Sequence, residues 1–243
     1  MRNDMAMEGI RKQGIRSVFA ALAVGLGLLG SAASANAVTI TAGEECCVFV
    51  DGPFSQPAGA TAEIANPGAP NTAAHNVYSD GSGPDGGPLF YSSLAQPGQT
   101  RPVRGTQYLG SGSYDFVCTL HTGMTGTLEV SGGTPAARPR AVPRIPSQSL
   151  KTVRRKGRLT VTLRSAAPSG RVALALKVGG KTVGSASVGS LSAGKTRRQS
   201  VRLSKRGKRL IAKGRTVKFQ ARAVAEFGIP ASGRRTLRSG GSR

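Results

Sequence analysis

Tryptophan is absent from this 243-residue chain, histidine occurs twice, cysteine three times, and 11 acidic residues face 34 Lys and Arg. Each scarcity excludes something. Two histidines leave none to spare for a second histidine-rich metal centre beside a first, and a hydrolytic triad would have to take its base from the same pair. An odd number of cysteines cannot pair completely, so at least one sulfur has another use. The glycines lie in turns and not between a strand and a helix, which leaves no phosphate-binding loop. Beyond residue 29 no stretch is apolar enough to cross a bilayer.

What charge there is lies unevenly. Residues 38–134 hold two cations and eight acids, whereas residues 135–243 hold 28 cations and one acid. The split implies a mildly acidic working domain joined to a basic module that contacts something anionic. Before both, Arg11, Lys12 and Arg16 precede an apolar run from Val18 to Leu29, and Ala35-Asn36-Ala37 is a small-x-small cleavage site. Residues 1–37 thus read as an export signal, with an uncleaved anchor as the alternative. The expected location is periplasmic, cell-surface or extracellular, an oxidising setting in which cysteines normally pair. Cys46 and Cys47 could bond to each other, one of them could pair with Cys118, or thiols could stay free. Adjacent Cα atoms lie only about 3.8 Å apart, so a bridge between neighbours would be strained.

From Val38 short runs of β-formers alternate with Gly, Pro, Asn and Ser: 38–41, 47–50, 61–65, 75–78, 107–109, 114–118 and 126–130. No sustained helical period interrupts them, so residues 38–133 are expected to form a β-sandwich or barrel. Chemistry concentrates at its end, in Tyr114-Asp-Phe-Val-Cys118-Thr-Leu-His121-Thr-Gly-Met124. A strand ending at Cys118 presents its sulfur at the rim, and a short loop pinned by the next strand returns His121 and Met124 to the same point. His75 supplies a fourth donor from another strand end. Two imidazoles, one thiolate and a distant thioether are the donor set of a copper electron-transfer site, and zinc more often recruits further thiolates, imidazoles or a carboxylate. Taken singly, each residue has an ordinary reading as a core filler or a satisfied polar group. Together they account for both histidines of the chain.

His75-Asn76-Val77 and Gly112-Ser-Tyr-Asp-Phe-Val-Cys118-x-x-His121-x-x-Met124-x-Gly126 resemble the two ligand segments of the cupredoxins, in particular their plastocyanin-like and amicyanin-like branch. The resemblance implies an eight-stranded Greek-key sandwich, one mononuclear type 1 copper, and single-electron shuttling between a redox donor and an acceptor. It also implies that Asn76 joins the two ligand loops by hydrogen bonds and that His121 is the electron port. Cys46, Cys47 and the Gly-, Pro- and Asp-rich stretch 80–89 depart from the family pattern.

Residues 134–147 read as an extended Pro/Arg-rich linker. Beyond it, alternation returns in 158–163, 172–178, 182–188, 200–203 and 216–224, so residues 148–238 are expected to form a second, basic β-sandwich. Its pattern loosely resembles the immunoglobulin-like modules of bacterial exported proteins. Residues 204–213 could form a short helix capped by Ser204 with Leu210 and Ile211 packed inward, and 239–243 read as a disordered tail. The basic face would either dock on an anionic cell-surface polymer, lipid surface or acidic redox protein, or simply solvate an exposed sheet. Export and the scarcity of aromatics argue against nucleic acid. The chain is therefore expected to be no enzyme but an exported electron carrier, with copper storage, delivery or sensing as the alternative.

Overall fold

The computed structural model describes residues 37–44, 47–70 and 72–240. Almost all of the export-signal reading, Cys46 and the last three residues lie outside them. The described residues form one compact unit. It is nearly all β, with four sheets making two sandwiches.

The first sandwich is built from β1 (Thr39–Ala42), β2 (Phe49–Val50), β3 (Phe54–Ala58), β4 (Glu63–Asn66), β5 (Tyr78–Ser79), β6 (Gln99–Pro102), β7 (Gly112–Val117) and β8 (Thr125–Gly133). One sheet runs β2-β1-β4-β6 and the other β3-β8-β7-β5, the eight strands that the family resemblance implies. Alternation places Ile40, Ile64, Phe54, Phe116 and Leu128 inside, where they close on Phe90, Val103 and Leu109. Cross-strand pairing sets Phe116 opposite Gly126. A Cβ on Gly126 would lie 2.5 Å from the Phe116 ring, so the glycine lets that ring fold flat over β8.

Two local readings of the sequence need correction. Residues 107–109 are not a strand: Thr106–Tyr108 is one 3-10 turn. The buried Thr106 hydroxyl accepts from Ala62 N at 2.9 Å and donates to Val103 O at 3.1 Å, and such side-chain bonds compete with a ladder. Residues 75–78 pair only at their ends, with His75 in a single bridge to Ala95 and Tyr78 entering β5.

The second sandwich contains β9 (Ala141–Arg144), α1 (Leu150–Lys156), β10 (Arg158–Ser165), β11 (Val172–Val178), β12 (Lys181–Val188), β13 (Thr196–Arg202), α2 (Lys205–Ala212), β14 (Thr216–Ala225) and β15 (Ala231–Arg238). Its sheets run β13-β10-β9 and β12-β11-β14-β15 around Leu159, Leu163, Leu174, Leu176 and Phe219. Gly179 and Gly180, both at positive φ, close the β11–β12 hairpin as a primed turn requires. Part of the expected linker is in fact strand, since β9 pairs with β10. Ser204 caps α2 by accepting from Gly207 N at 3.0 Å, but only Ile211 packs inward while Leu210 stays exposed. Ser239 is not free either: its N–H donates to Arg215 O at 2.9 Å and its hydroxyl accepts from Arg154 at 3.0 Å.

The two sandwiches meet around Phe227, which is buried and holds φ 57, unusual for a bulky side chain. Its ring packs against Tyr91 and Tyr108, its N–H donates to Asp85 at 2.8 Å, and its carbonyl accepts from Arg138. Beside it Glu226 pairs with Arg104 at 2.6 Å and accepts from the Tyr91 hydroxyl. Gly105, at φ +102, sits under this contact, where a Cβ would fall 2.5 Å from Leu89 O and 2.8 Å from the Phe227 ring. Gly105→Ala is therefore expected to lower unfolding free energy by about 1–3 kcal/mol in denaturant titration, through strain at positive φ and displacement of Phe227.

Candidate metal centre

Cys118 follows the last residue of β7 and is 3% exposed, and among the described residues it is the free thiol, whereas Cys47 is disulfide-bonded. A disulfide does not compete for the Cys118 sulfur. The loop to β8 is closed by backbone bonds: Cys118 N donates to Met124 O at 2.9 Å, His121 N to Cys118 O at 3.4 Å, and Met124 N to His121 O at 3.3 Å. Two turns in seven residues therefore fold His121 and Met124 back over the sulfur.

His75, fully buried, reaches the same point from the other ligand segment. Its backbone N–H donates to Ala95 O at 3.1 Å and its carbonyl accepts from Ala95 N at 2.8 Å. Sγ of Cys118 lies 3.4 Å from Nδ1 of His121 and 4.0 Å from Nδ1 of His75. The two imidazole rings are 4.7 Å apart. Buried Met124 packs with Cys118 and Ala42, flanked by Cys47 and Phe49. The structure thus brings together all four side chains that the sequence singles out.

The spacing suits a metal. Bonds of about 2.0–2.3 Å from one ion, at angles between tetrahedral and trigonal, put nitrogen and sulfur about 3.5–3.8 Å apart. The observed 3.4 and 4.0 Å bracket that separation. His75, Cys118 and His121 offer donor atoms that all lie within 4.8 Å of one another. Burial pushes the His75 imidazole below its ordinary value, and the charge of His121 adds to the shift. A neutral imidazole is the form that binds a metal.

Asn76 joins the two ligand segments. Its Oδ1 accepts from Thr119 N at 2.8 Å and its Nδ2 donates to Thr119 Oγ1 at 3.0 Å. A second anchor escapes the sequence reading: buried Asn66 donates through Nδ2 to Ala73 O at 2.8 Å and to Ala95 O at 3.0 Å, fixing both sides of the His75 bridge. A signal for it exists, because Asn66 falls on the inward phase of β4 with Ile64, and a polar side chain there must find partners.

No family model and no curated protein matches the chain. Among solved structures, it is similar to amicyanin from Paracoccus versutus, at 24% identity over 40% of this chain and 83% of that one, with a TM-score of 0.30. It is also similar to auracyanin A, a "blue" copper protein from the green thermophilic photosynthetic bacterium Chloroflexus aurantiacus, at 20% identity over 40% of this chain and 98% of that one, with a TM-score of 0.30. Both are cupredoxins.

The direction of the His75 shift fixes a pH dependence. A base whose folded value is depressed leaves the unfolded chain to take up the proton first, so stability is fully present above 6.5 and declines as pH falls below it. The metal-free protein is expected to lose unfolding free energy on acidification through that range, and His75→Gln to lose the component, both read from denaturant titrations at several pH values.

Proposed function

We propose that this chain is an exported carrier of single electrons that uses one type 1 copper ion held by His75, Cys118 and His121, with Met124 as a weak fourth ligand. The observation that carries the reading is the convergence of one free thiol and two imidazole Nδ1 atoms around one point, with a buried thioether beside them. Copper in such a set supplies a one-electron couple, because thiolate and thioether favour the reduced ion while imidazole accepts both oxidation states. The residues supply the rest. Cys118 and His121 are held by the closed loop, and His75 by its bridge to Ala95, so the donors have little freedom to move when the charge changes. A rigid donor set keeps reorganisation small and exchange fast.

Docking to a redox donor and acceptor would use the rim. His121 is partly exposed with Nδ1 turned to the sulfur, and Leu120 beside it is 53% exposed. Leu94, next to the bridge partner of His75, is exposed as well. The reading is of a carrier and not an enzyme, working in the periplasm, at the cell surface or outside the cell.

Adding Cu(II) to the purified protein is expected to give an intense absorption in the red and a narrow-hyperfine paramagnetic resonance spectrum, both lost in Cys118→Ser. A colourless complex, or colour that survives in Cys118→Ser, would refute the site. Met124→Leu is expected to keep the colour and raise the midpoint potential in voltammetry, since the axial donor tunes it. Tight retention of Cu(I) with sluggish exchange would point instead to storage or delivery.

A further inference from the structure

The outward face of the β13-β10-β9 sheet carries a two-dimensional array of arginines. Register places Arg164 between Val142 and Thr196, Thr162 between Arg144 and Arg198, Thr160 beside Ser200, and Arg158 beside Arg202. All five arginines are exposed. Successive rows on one face are about 6.6 Å apart, so the array extends roughly 20 Å along β10. Grooves lie at both ends. One of about 610 Å³ is lined by Val142, Pro143, Arg144, Thr162 and Arg164. The other, about 460 Å³, is lined by Arg202, Lys205 and Lys208 at the start of α2.

Solvation of a sheet does not account for this arrangement. Like charges directly opposite each other destabilise a ladder, yet Arg158 faces Arg202. Protection of edges would not need Arg158 and Arg164, which stand on the central strand. Nor is a carboxylate at hand: residues 135–243 contain one acid, Glu226, and it is engaged by Arg104 and Tyr91. The array is a set of cations whose counter-charge must come from outside the module.

We propose that this face binds a linear phosphodiester polymer of the alcohol-phosphate kind, whose repeats carry hydroxyls and no aromatic base. Guanidinium forks match phosphate oxygens two at a time, and the array on this sheet is arginine without lysine. Arg158 and Arg202, register partners on neighbouring strands, set two forks side by side, and the free oxygen pairs of successive phosphodiesters can each take one. Thr160, Thr162, Thr196 and Ser200 stand between the arginines as hydroxyl partners for the repeat. The face presents no aromatic side chain for stacking bases and, in Val142, one exposed large apolar residue, too little for insertion into a membrane. The proposal is independent of the metal.

The test uses the full chain and fluorescently labelled synthetic poly(glycerol phosphate), followed by anisotropy over a series of salt concentrations. Replacing Arg158, Arg198 and Arg202 by Gln together is expected to weaken binding about tenfold or more and to reduce the salt slope by about 2 to 3. Replacing Lys218, Arg222 and Arg234 by Gln removes the same charge from the other sheet and is expected to cost less than about threefold. Arg158→Lys with Arg202→Lys keeps the charge but loses the forks and is expected to weaken binding too. Thermal melts check that the variants, all at exposed positions, remain folded. Equal losses in the two Gln variants would overturn the proposal. So would no binding at all, or equal or tighter binding of phosphatidylglycerol vesicles, single-stranded DNA or polyglutamate at matched charge.

Discussion

The candidate centre depends on one amide. Asn76 and Thr119 are 43 residues apart in sequence, and their hydrogen bonds hold the segment carrying His75 against the loop carrying Cys118, His121 and Met124. Each bond contributes only about 1 kcal/mol net to stability. That suffices, because both segments are already short and pinned: one by the Ala95 bridge and Asn66, the other by three backbone bonds between the strands β7 and β8. The clasp therefore does not hold the fold together so much as set the separation of ligand atoms supplied by two pieces of chain. A site of this kind needs its donors placed to within about 0.5 Å, and a clasp between rigid elements achieves that where a mobile loop would not.

What the sequence made legible follows from how local each signal is. Cys118, His121 and Met124 can be read together because seven residues are too few for them to part, and His75 because the chain has a single other histidine. Alternation located most strands of both sandwiches. It missed β3, β6 and β9, where proline or glutamine interrupts the pattern (Gln56 and Pro57, Gln99 and Pro102, Pro143), and β15, which carries no apolar side chain between Ala231 and Leu237. Proline is admissible in β9 because that strand lies at the edge of its sheet, a fact of topology that no local pattern contains. Asn66 was hidden for a related reason. Its inward phase is visible, but its partners, Ala73 and Ala95, become neighbours only when the sheet closes.

The charge division takes on a more definite meaning once the contacts are known. The basic half spends its one acid on the acidic half, and the acidic half returns Asp85 to the Phe227 N–H. Arg104 is half exposed, so its ion pair with Glu226 is worth little alone. The contact gains from what surrounds it: the Arg104 guanidinium lies over both Tyr91 and Phe227, and Arg138 over Tyr108. Aromatic rings are scarce in this chain, and the contact between the sandwiches concentrates three of them.

That contact forms beside the 3-10 turn that precedes β7, whereas the ligands follow the far end of the same strand. Six residues of strand separate the two ends by about 20 Å. The rim around His121 consequently stays clear of the basic half, and holding the chain by its arginine face would leave that rim open to collision. A carrier anchored through the rim itself would lose the exposure on which exchange depends. For the proposed carrier, an arginine face on a separate sandwich, set at the opposite end of the strand that leads to Cys118, satisfies both demands within one compact unit.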